Sequence, residues 1–254
     1  MPGNIQSIER AAAILRLLSG QSRRLGVVDL SGELGLPKGT VHGLLRTLQH
    51  VGFVEQDAET GKYQLGAALL HMGSSYLDGN ELRTRALNWS DSLAGRAQEA
   101  VRIGTLHDAQ VLIVHHVFRP DDSLQTLDVG SLLPAHATAL GKVLLAYHPY
   151  VADELVKHGL PSFTGATICG RERLERELQR IRDRGWASEI GELTPVQVSL
   201  AAPITDRSGL TVGAIGIFGP PERLLTARQP RGELLAHVRE AARAVSRELG
   251  AIPW

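Results

Sequence analysis

The stretch "LPKGTVHGLLRTLQHVGFVEQD", residues 36–57, overlaps a run without acidic residues that extends from residue 34 to residue 54. Within it, basic side chains recur every four positions, at Lys38, His42, Arg46 and His50, which places them on one face of a helix. The whole chain carries 27 Lys and Arg residues against 27 Asp and Glu residues. The basic face is therefore a local feature of a neutral chain and not the result of its overall charge.

The same stretch predicts an amphipathic helix. Pro37 suits the first turn of a helix, where its missing N–H costs nothing. Apolar side chains at helical spacing form the opposite side and are expected to pack inward: Val41, Leu44, Leu45, Leu48 and Val51. Gly39 and Gly43 lie beside the basic groups, so the backbone of that face can approach another surface closely.

The flanking sequence predicts the rest of a small domain. Two helical patterns precede the stretch, "SIERAAAILRLLS" at residues 7–19 and "VVDLSGELGL" at residues 27–36, with Ser7 as a candidate cap and a break at Gly35. Two short alternating segments follow, "GFVEQD" and "GKYQLG", and predict a hairpin. Three small helices and a hairpin form a winged helix-turn-helix, whose second motif helix enters the major groove of DNA.

This arrangement predicts which residues contact DNA. Thr40, His42 and Arg46 are of the kinds that read base edges, and Arg46 best suits guanine. A solvated helix face would carry similar charges, but the ordered context of turn, glycines and hairpin favours DNA binding. The remaining predicted contacts are phosphate contacts or close backbone approaches, at Arg23, Arg24, Lys38, Gly39, Gly43, Thr47 and Lys62.

The remainder of the chain predicts an α+β fold with helices on an antiparallel sheet. Residues 1–66 form the first domain, residues 67–80 a linker helix, and residues 81–254 a second domain. Strands are expected in "AVRIGTLH", "QVLIVHHVF", "LQTLDVG", "SLAAPITD" and "TVGAIGIFG", and helices in "HATALGKVLLAYH", "RERLERELQRIRDRG" and "GELLAHVREAARAVSRELG". The linker helix offers apolar side chains to a partner or to its own domain: Leu69, Leu70, Met72, Tyr76 and Leu77.

The amino-acid composition indicates the cellular location to be expected for the protein. Cys169 is the single cysteine, which excludes an intramolecular disulfide and fits a reducing, cytoplasmic location. No signal-type cleavage site follows the N-terminus, and the apolar runs are too short to cross a bilayer, so no membrane partner is expected.

The chain resembles the IclR-type transcriptional regulators over about residues 6–249. The resemblance is carried by "SIERAAAILRLL", "LGLPKGTVHGLLRTLQHVGFVEQD", "YQLG", "PAHATALGKVLLA", "LQRIRDRGWASE", "LAAPITDRSG" and "AIGIFGPPERL". Three further stretches are similar to the glycerol operon regulators of actinomycetes: "NIQSIERAA", "VLIVHHVFRPDDS" and "TALGKVL". The resemblance implies a GAF-like effector-binding domain, a homodimer or dimer of dimers, a palindromic operator, and repression of a glycerol catabolic operon relieved by a small metabolite.

The resemblance also implies an effector pocket in the second domain. Its positions in this chain are His136, Ala139, Leu140, Glu189, Ser199, Gly216 and Phe218. Ala139 and Leu140 begin a helix that Thr138 is expected to cap, and first-turn N–H groups attract anions. The same residues would also occur in an ordinary capped helix in which Gly141 allows close packing and no ligand binds.

Gly216 and Phe218 stand where members that bind small oxo acids carry hydroxyls. The resemblance therefore favours glycerol 3-phosphate or glycerol, with Arg102, His107 or His136 as the cation for a phosphate. An activator, or a regulator of another catabolic pathway that responds to a small organic acid or aromatic effector, remains an alternative.

Other classes of site are weaker hypotheses. His107, His115 and His116 would form a metal site with Cys169 or Glu189, but adjacent residues of a strand face opposite sides, so one of the pair at most joins it. No metal and no cofactor are predicted. The chain has no "GxSxG", "HExxH" or Gly-rich phosphate loop, so an enzyme is not predicted.

Overall fold

The structure is a computed structural model that describes residues 4–20 and 24–251. The chain divides into two compact units, Met1–Gly79 and Asn80–Trp254. The predicted linker helix is grouped with the first of these units.

In its described residues, 4–20 and 24–79, the first unit has four helices and a hairpin. They are α1 (Gln6–Leu18), α2 (Val27–Leu34), α3 (Lys38–His50), β1 (Val54–Gln56), β2 (Tyr63–Leu65) and α4 (Ala67–Asp78). Gly35 ends α2 with a φ of 62°, in the left-handed region that favours glycine, and Pro37 directly precedes α3. The strands pair antiparallel with Val54 opposite Leu65. This is the predicted winged helix-turn-helix.

The core of this unit comes from the apolar faces that the sequence predicts. Its buried members are Ile14, Leu18, Leu30, Val41, Leu45, Leu48, Val54 and Tyr63. Two details differ from the prediction. Val51 is 48% exposed because α3 ends at His50, and Ser7 lies inside α1, whose N-cap residue is Ile5.

The second unit is built on one six-stranded antiparallel sheet with the strand order β5-β4-β3-β8-β7-β6. Its strands are β3 (Ala100–His107), β4 (Gln110–Val117), β5 (Leu132–Pro134), β6 (Ala187–Ile190), β7 (Val198–Thr205) and β8 (Thr211–Gly219). A separate short pair follows, β9 (Leu225–Thr226) and β10 (Gln229–Pro230). The predicted α+β class is confirmed.

Six helices accompany the sheet. They are α5 (Glu81–Ala97), α6 (Ala139–Tyr147), α7 (Pro149–His158), α8 (Arg171–Arg184), α9 (Pro221–Leu224) and α10 (Gly232–Glu248). α6 packs on β7, β8 and α8, and α5 packs with α10. No described helix is long and apolar enough to cross a membrane.

The structure corrects the secondary-structure prediction at three places. "LQTLDVG", residues 124–130, forms no strand, and its Leu124 and Leu127 are 103% and 59% exposed. The strand of this region is β5 instead, which pairs with β4. The sequence analysis also missed β6, which is too short to show a two-residue period, and α7, which begins at Pro149.

The start of α6 is held tightly against the turn before it. Residues Ala135–Ala137 form a single 3-10 turn. A Cβ built on Gly141 would lie 2.2 Å from the carbonyl oxygen and 2.3 Å from the Cα of Ala135. Because both atoms belong to the backbone, glycine alone fits here.

We therefore expect Gly141→Ala to lower the free energy of unfolding of the second unit by about 1–3 kcal/mol, the range for overpacking. Gly95→Ala is the matched control, since nothing lies within 4 Å of a Cβ at Gly95 inside α5. That variant should be stabilised by about 0.5–1 kcal/mol. Chemical denaturation of both variants checks the prediction, and equal stability of the two would contradict it.

Candidate DNA-binding surface and effector pocket

The basic face of α3 is open to solvent. Lys38, Gly39, His42, Gly43, Arg46 and Thr47 are exposed, and Thr40 is half-buried at the start of the helix. Lys38, His42 and Arg46 form no ion pair within residues 4–20 and 24–251. Their charges and donors therefore remain available for a partner molecule.

The other residues predicted to contact phosphate differ in whether their side chains already bind other groups of the chain. Lys62 is exposed in the hairpin loop, as a wing contact requires. The hydroxyl of Thr47 already donates to the carbonyl of Gly43 at 3.0 Å. Arg24 Nη1 lies 2.9 Å from Asp57 Oδ2, so a phosphate would have to compete with that carboxylate. Arg23 lies outside the described residues.

Asp57 is itself organised by the hairpin turn. It accepts hydrogen bonds from the backbone N–H of Thr60 at 2.8 Å and from the Thr60 hydroxyl at 2.9 Å. These bonds hold the pKa of Asp57 below its usual value, with smaller contributions from the Glu59 N–H and Arg24. The carboxylate therefore stays charged and keeps Arg24 beside the hairpin.

The two glycines of the basic face are not required by packing inside this chain. Nothing lies within 4 Å of a Cβ built on Gly39 or Gly43, and neither residue has a positive φ. A glycine inside a helix costs about 0.5–1 kcal/mol relative to alanine. The presence of both glycines is explained if another molecule must approach this backbone closely.

The predicted effector residues converge in the second unit. One pocket is lined by six of the seven, Ala139, Leu140, Glu189, Ser199, Gly216 and Phe218, together with Arg102, Leu133, Thr138, Gln197, Leu200 and Ile217. Sheet register brings them together: Glu189 pairs with Ser199, Ser199 with Phe218, and Gly216 with Arg102. The open volume is about 20 Å³, which is room for about one water molecule.

The N-terminus of α6 forms one wall of this pocket. Thr138 caps the helix as predicted, because its Oγ1 accepts a hydrogen bond from the N–H of Gly141 at 3.2 Å. The N–H groups of Ala139 and Leu140 belong to the first turn, for which the helix has no carbonyl partners. Two amide donors and the positive end of the helix therefore face the pocket.

Glu189 adds a buried carboxyl group to the lining of the same pocket. It is 1% exposed, and its carboxylate accepts hydrogen bonds from Ser199 Oγ at 2.9 Å and from the N–H of Glu192 at 2.7 Å. Burial raises the pKa of Glu189 above its usual value. Burial therefore makes the charged form of Glu189 less favourable than that of an exposed glutamate.

Arg102 is the basic side chain among the described residues that line this pocket. Its guanidinium lies 3.4 Å from the centroid of the Phe218 ring, and its Nε donates to Asp128 Oδ2 at 2.7 Å. Of the three cations considered from sequence, Arg102 is the one that lines the pocket. His107 is exposed at the end of β3, and His136 is directed elsewhere, with its Nε2 2.9 Å from the carbonyl oxygen of Pro161.

The sequence analysis missed Leu133 and Gln197 as pocket residues. Leu133 lies on β5, a strand that was not predicted, and Gln197 lies in the segment just before β7. Neither position carries a local signal, because strand register alone brings them to the pocket. Within the described ranges, no three His, Cys, Asp or Glu residues come together as a metal site.

A winged helix-turn-helix with an exposed basic helix, followed by a unit with an effector-type pocket, defines a DNA-binding transcriptional regulator. Residues 7–58 match the IclR helix-turn-helix domain, and residues 74–247 match the C-terminal domain of the bacterial transcriptional regulator IclR. The chain belongs to the IclR family. The homologues are transcriptional regulators and not enzymes.

Related proteins match this chain over nearly its whole length. The glycerol operon regulatory protein of Streptomyces coelicolor is 55% identical and that of Streptomyces griseus 53% identical, each match covering 99% of both chains. An IclR transcriptional regulator from Alicyclobacillus acidocaldarius, known from its crystal structure, is 26% identical, with a TM-score of 0.80 over 98% of this chain and 100% of that one.

The glycines of α3 lead to the prediction that one substitution raises the stability of the first unit and lowers its affinity for DNA. Gly43→Ala should stabilise the first unit by about 0.5–1 kcal/mol, because alanine is the better helix former. The same methyl group should weaken DNA binding, because it stands on the face that approaches the duplex. Denaturation and DNA titration measure the two effects, with Gly95→Ala as the control that leaves DNA affinity unchanged. Gly43→Ala with full DNA affinity would contradict the assignment of this face.

Proposed function

We propose that the protein represses a glycerol catabolic operon and that glycerol 3-phosphate releases it from DNA. The similarity at 55% identity over the whole chain to a glycerol operon regulatory protein carries this proposal. The chemistry of the pocket supports the choice of effector. A phosphate group suits the amides at the start of α6 and the guanidinium of Arg102.

The rest of the pocket suits the glycerol part of such a ligand. Ser199, Glu189 and Gln197 offer hydrogen-bonding groups to hydroxyls. Gly216 and Phe218 keep another wall without hydroxyl groups. A small oxo acid has one anionic group and little else to satisfy these side chains, whereas glycerol 3-phosphate has an anion at one end and hydroxyls at the other.

We also propose that the protein acts as a homodimer or a dimer of dimers on a palindromic operator. A single recognition helix reads only a few base pairs, and a two-fold pair doubles the contacts. α4 supports the proposal, because Leu70, Met72 and Tyr76 are 75%, 54% and 57% exposed. A second copy of the chain would cover these apolar side chains.

Arg46→Ala tests the DNA-reading role. The loss of a base-reading arginine should weaken operator binding by about 1–3 kcal/mol and weaken binding to random DNA much less. Arg16→Ala is the charge-matched control, since Arg16 is an exposed arginine of α1. Fluorescence anisotropy on both DNAs gives the measurement. An equal loss on the two DNAs would show that Arg46 contacts phosphate and not a base.

The regulatory role is tested by a gel shift on the DNA upstream of this protein's own gene. Addition of glycerol 3-phosphate should release the DNA, whereas glycerol and inorganic phosphate should release little at the same concentration. Release by a different metabolite alone would exclude glycerol 3-phosphate as the effector. Failure to bind DNA upstream of any glycerol catabolic gene would exclude the operon.

Glycerol 3-phosphate should also raise the melting temperature of the second unit. A ligand at 100 times its Kd stabilises a protein by about 2.7 kcal/mol, and each kcal/mol raises the melting temperature of a unit of this size by about 2–4 °C. The shift should largely disappear in Arg102→Gln, when each variant is compared with itself without ligand. Ser199→Ala is a second variant that leaves the Arg102–Asp128 pair intact and should show a smaller shift than the wild type.

A further inference from the structure

The second unit contains a larger groove at a separate place. Its volume is about 740 Å³, and it lies between α10, the far end of β7 and the beginning of β8. Among the described residues, none lines both this groove and the effector pocket. The volume is within the range of about 300–1,000 Å³ that is typical of small-molecule sites.

One side of this groove is a row of arginines. Arg239, Arg243 and Arg247 of α10 follow one another at intervals of four residues and all line the groove. Successive members are about 6 Å apart along the helix axis, so the row extends for about 12 Å. Among the described residues, no Asp or Glu lines the groove.

Within the described residues these arginines form no ion pair, although Arg247 is near enough to Glu240 to contribute to the lowered pKa of that carboxyl. On α8, Arg171, Arg176, Arg180 and Arg184 each form an ion pair with a glutamate of the same helix. In the part of the chain that the structure describes, no such pair forms at Arg239, Arg243 or Arg247. Like charges four residues apart repel, so an anion in the groove would remove an unfavourable interaction.

The edge of the sheet in this groove is closed to an added peptide strand. β6 pairs with β7 only as far as Ala201, so the rest of that edge has no neighbouring strand. Pro203 has no N–H to donate, and the N–H of Thr205 donates to Ser246 Oγ at 3.0 Å. A strand-forming partner therefore finds no backbone donors at these positions, whereas a small molecule needs none.

We propose that this groove is a second anion-binding site, which takes a metabolite with two or more phosphate or carboxylate groups. The guanidinium groups bind the anionic groups, for which their planar donor geometry is suited. Tyr147, Pro203 and Ala242 provide apolar surface for the organic part of the ligand. The site gives the regulator a second chemical input that is separate from its effector pocket.

Isothermal titration of the full-length protein with inorganic tripolyphosphate at low salt tests the proposal. The wild type should bind this probe, and Arg243→Gln should weaken the binding at least fivefold. Arg243 is exposed, so this substitution should leave the melting temperature without probe unchanged. Arg247→Gln is a second variant in the same row and should show a similar loss.

Two charge-matched controls locate the binding. Arg173→Gln removes an exposed arginine of α8, and Arg46→Gln removes one from the recognition helix. Both should bind tripolyphosphate like the wild type. No binding to the wild type at millimolar probe would overturn the proposal, as would an equal loss in Arg173→Gln or a complete loss in Arg46→Gln. None of these outcomes depends on operator binding, so the proposed function is tested independently.

A last comparison tests the apolar part of the groove. ATP carries the same triphosphate as the probe together with an organic body. Binding of ATP at least as tight as that of tripolyphosphate would support a site for an organic polyanion. Much weaker binding of ATP would overturn that part of the proposal.

Discussion

A buried ion pair between Lys142 and Glu192 fixes the position of the segment between β6 and β7 in the second unit. Lys142 of α6 is 1% exposed, and an unpaired ammonium group at such a place would cost several kcal/mol. Its Nζ donates to Glu192, in the segment that connects β6 and β7, so this segment must lie against α6. Thr167 donates to the Glu192 carbonyl at 2.6 Å, and the Glu192 N–H donates to Glu189. The wall of the effector pocket that contains Glu189 and Ser199 therefore depends on Lys142 having a partner.

The DNA-binding surface could be predicted from sequence because its pattern is local. Within the 13 residues of α3, apolar side chains recur with the period of a helix. The burial of Val41, Leu45 and Leu48 follows directly from that period. Gly35 and the hairpin complete the motif within another short stretch. The errors occur at its borders, as at Val51, where the end of the helix and not the apolar period decides exposure.

The effector pocket was predicted differently and less completely. Resemblance to a family supplied Glu189, Ser199, Gly216 and Phe218, and the register of the sheet does place them side by side. Position in the sequence alone contains no such information, because the register in which β6, β7 and β8 pair decides which residues lie side by side. The same limitation applies to the strand predicted for "LQTLDVG". Leu127 and Val129 have the two-residue spacing of a strand, but the segment forms no strand in the structure.

The closed pocket provides a physical basis for regulation. An open volume of about 20 Å³ cannot hold glycerol 3-phosphate, so an effector of that size must displace a wall of the pocket. Arg102 is the group most directly affected, because a phosphate would compete with Asp128 for its guanidinium. Asp128 belongs to the segment between β4 and β5 and also donates its N–H to His116 Nδ1 at 3.1 Å. A ligand changes an equilibrium only by its difference in affinity for two states. Exchange of Asp128 for a phosphate at Arg102 would create such a difference, since Arg102 is paired with Asp128 in the closed state.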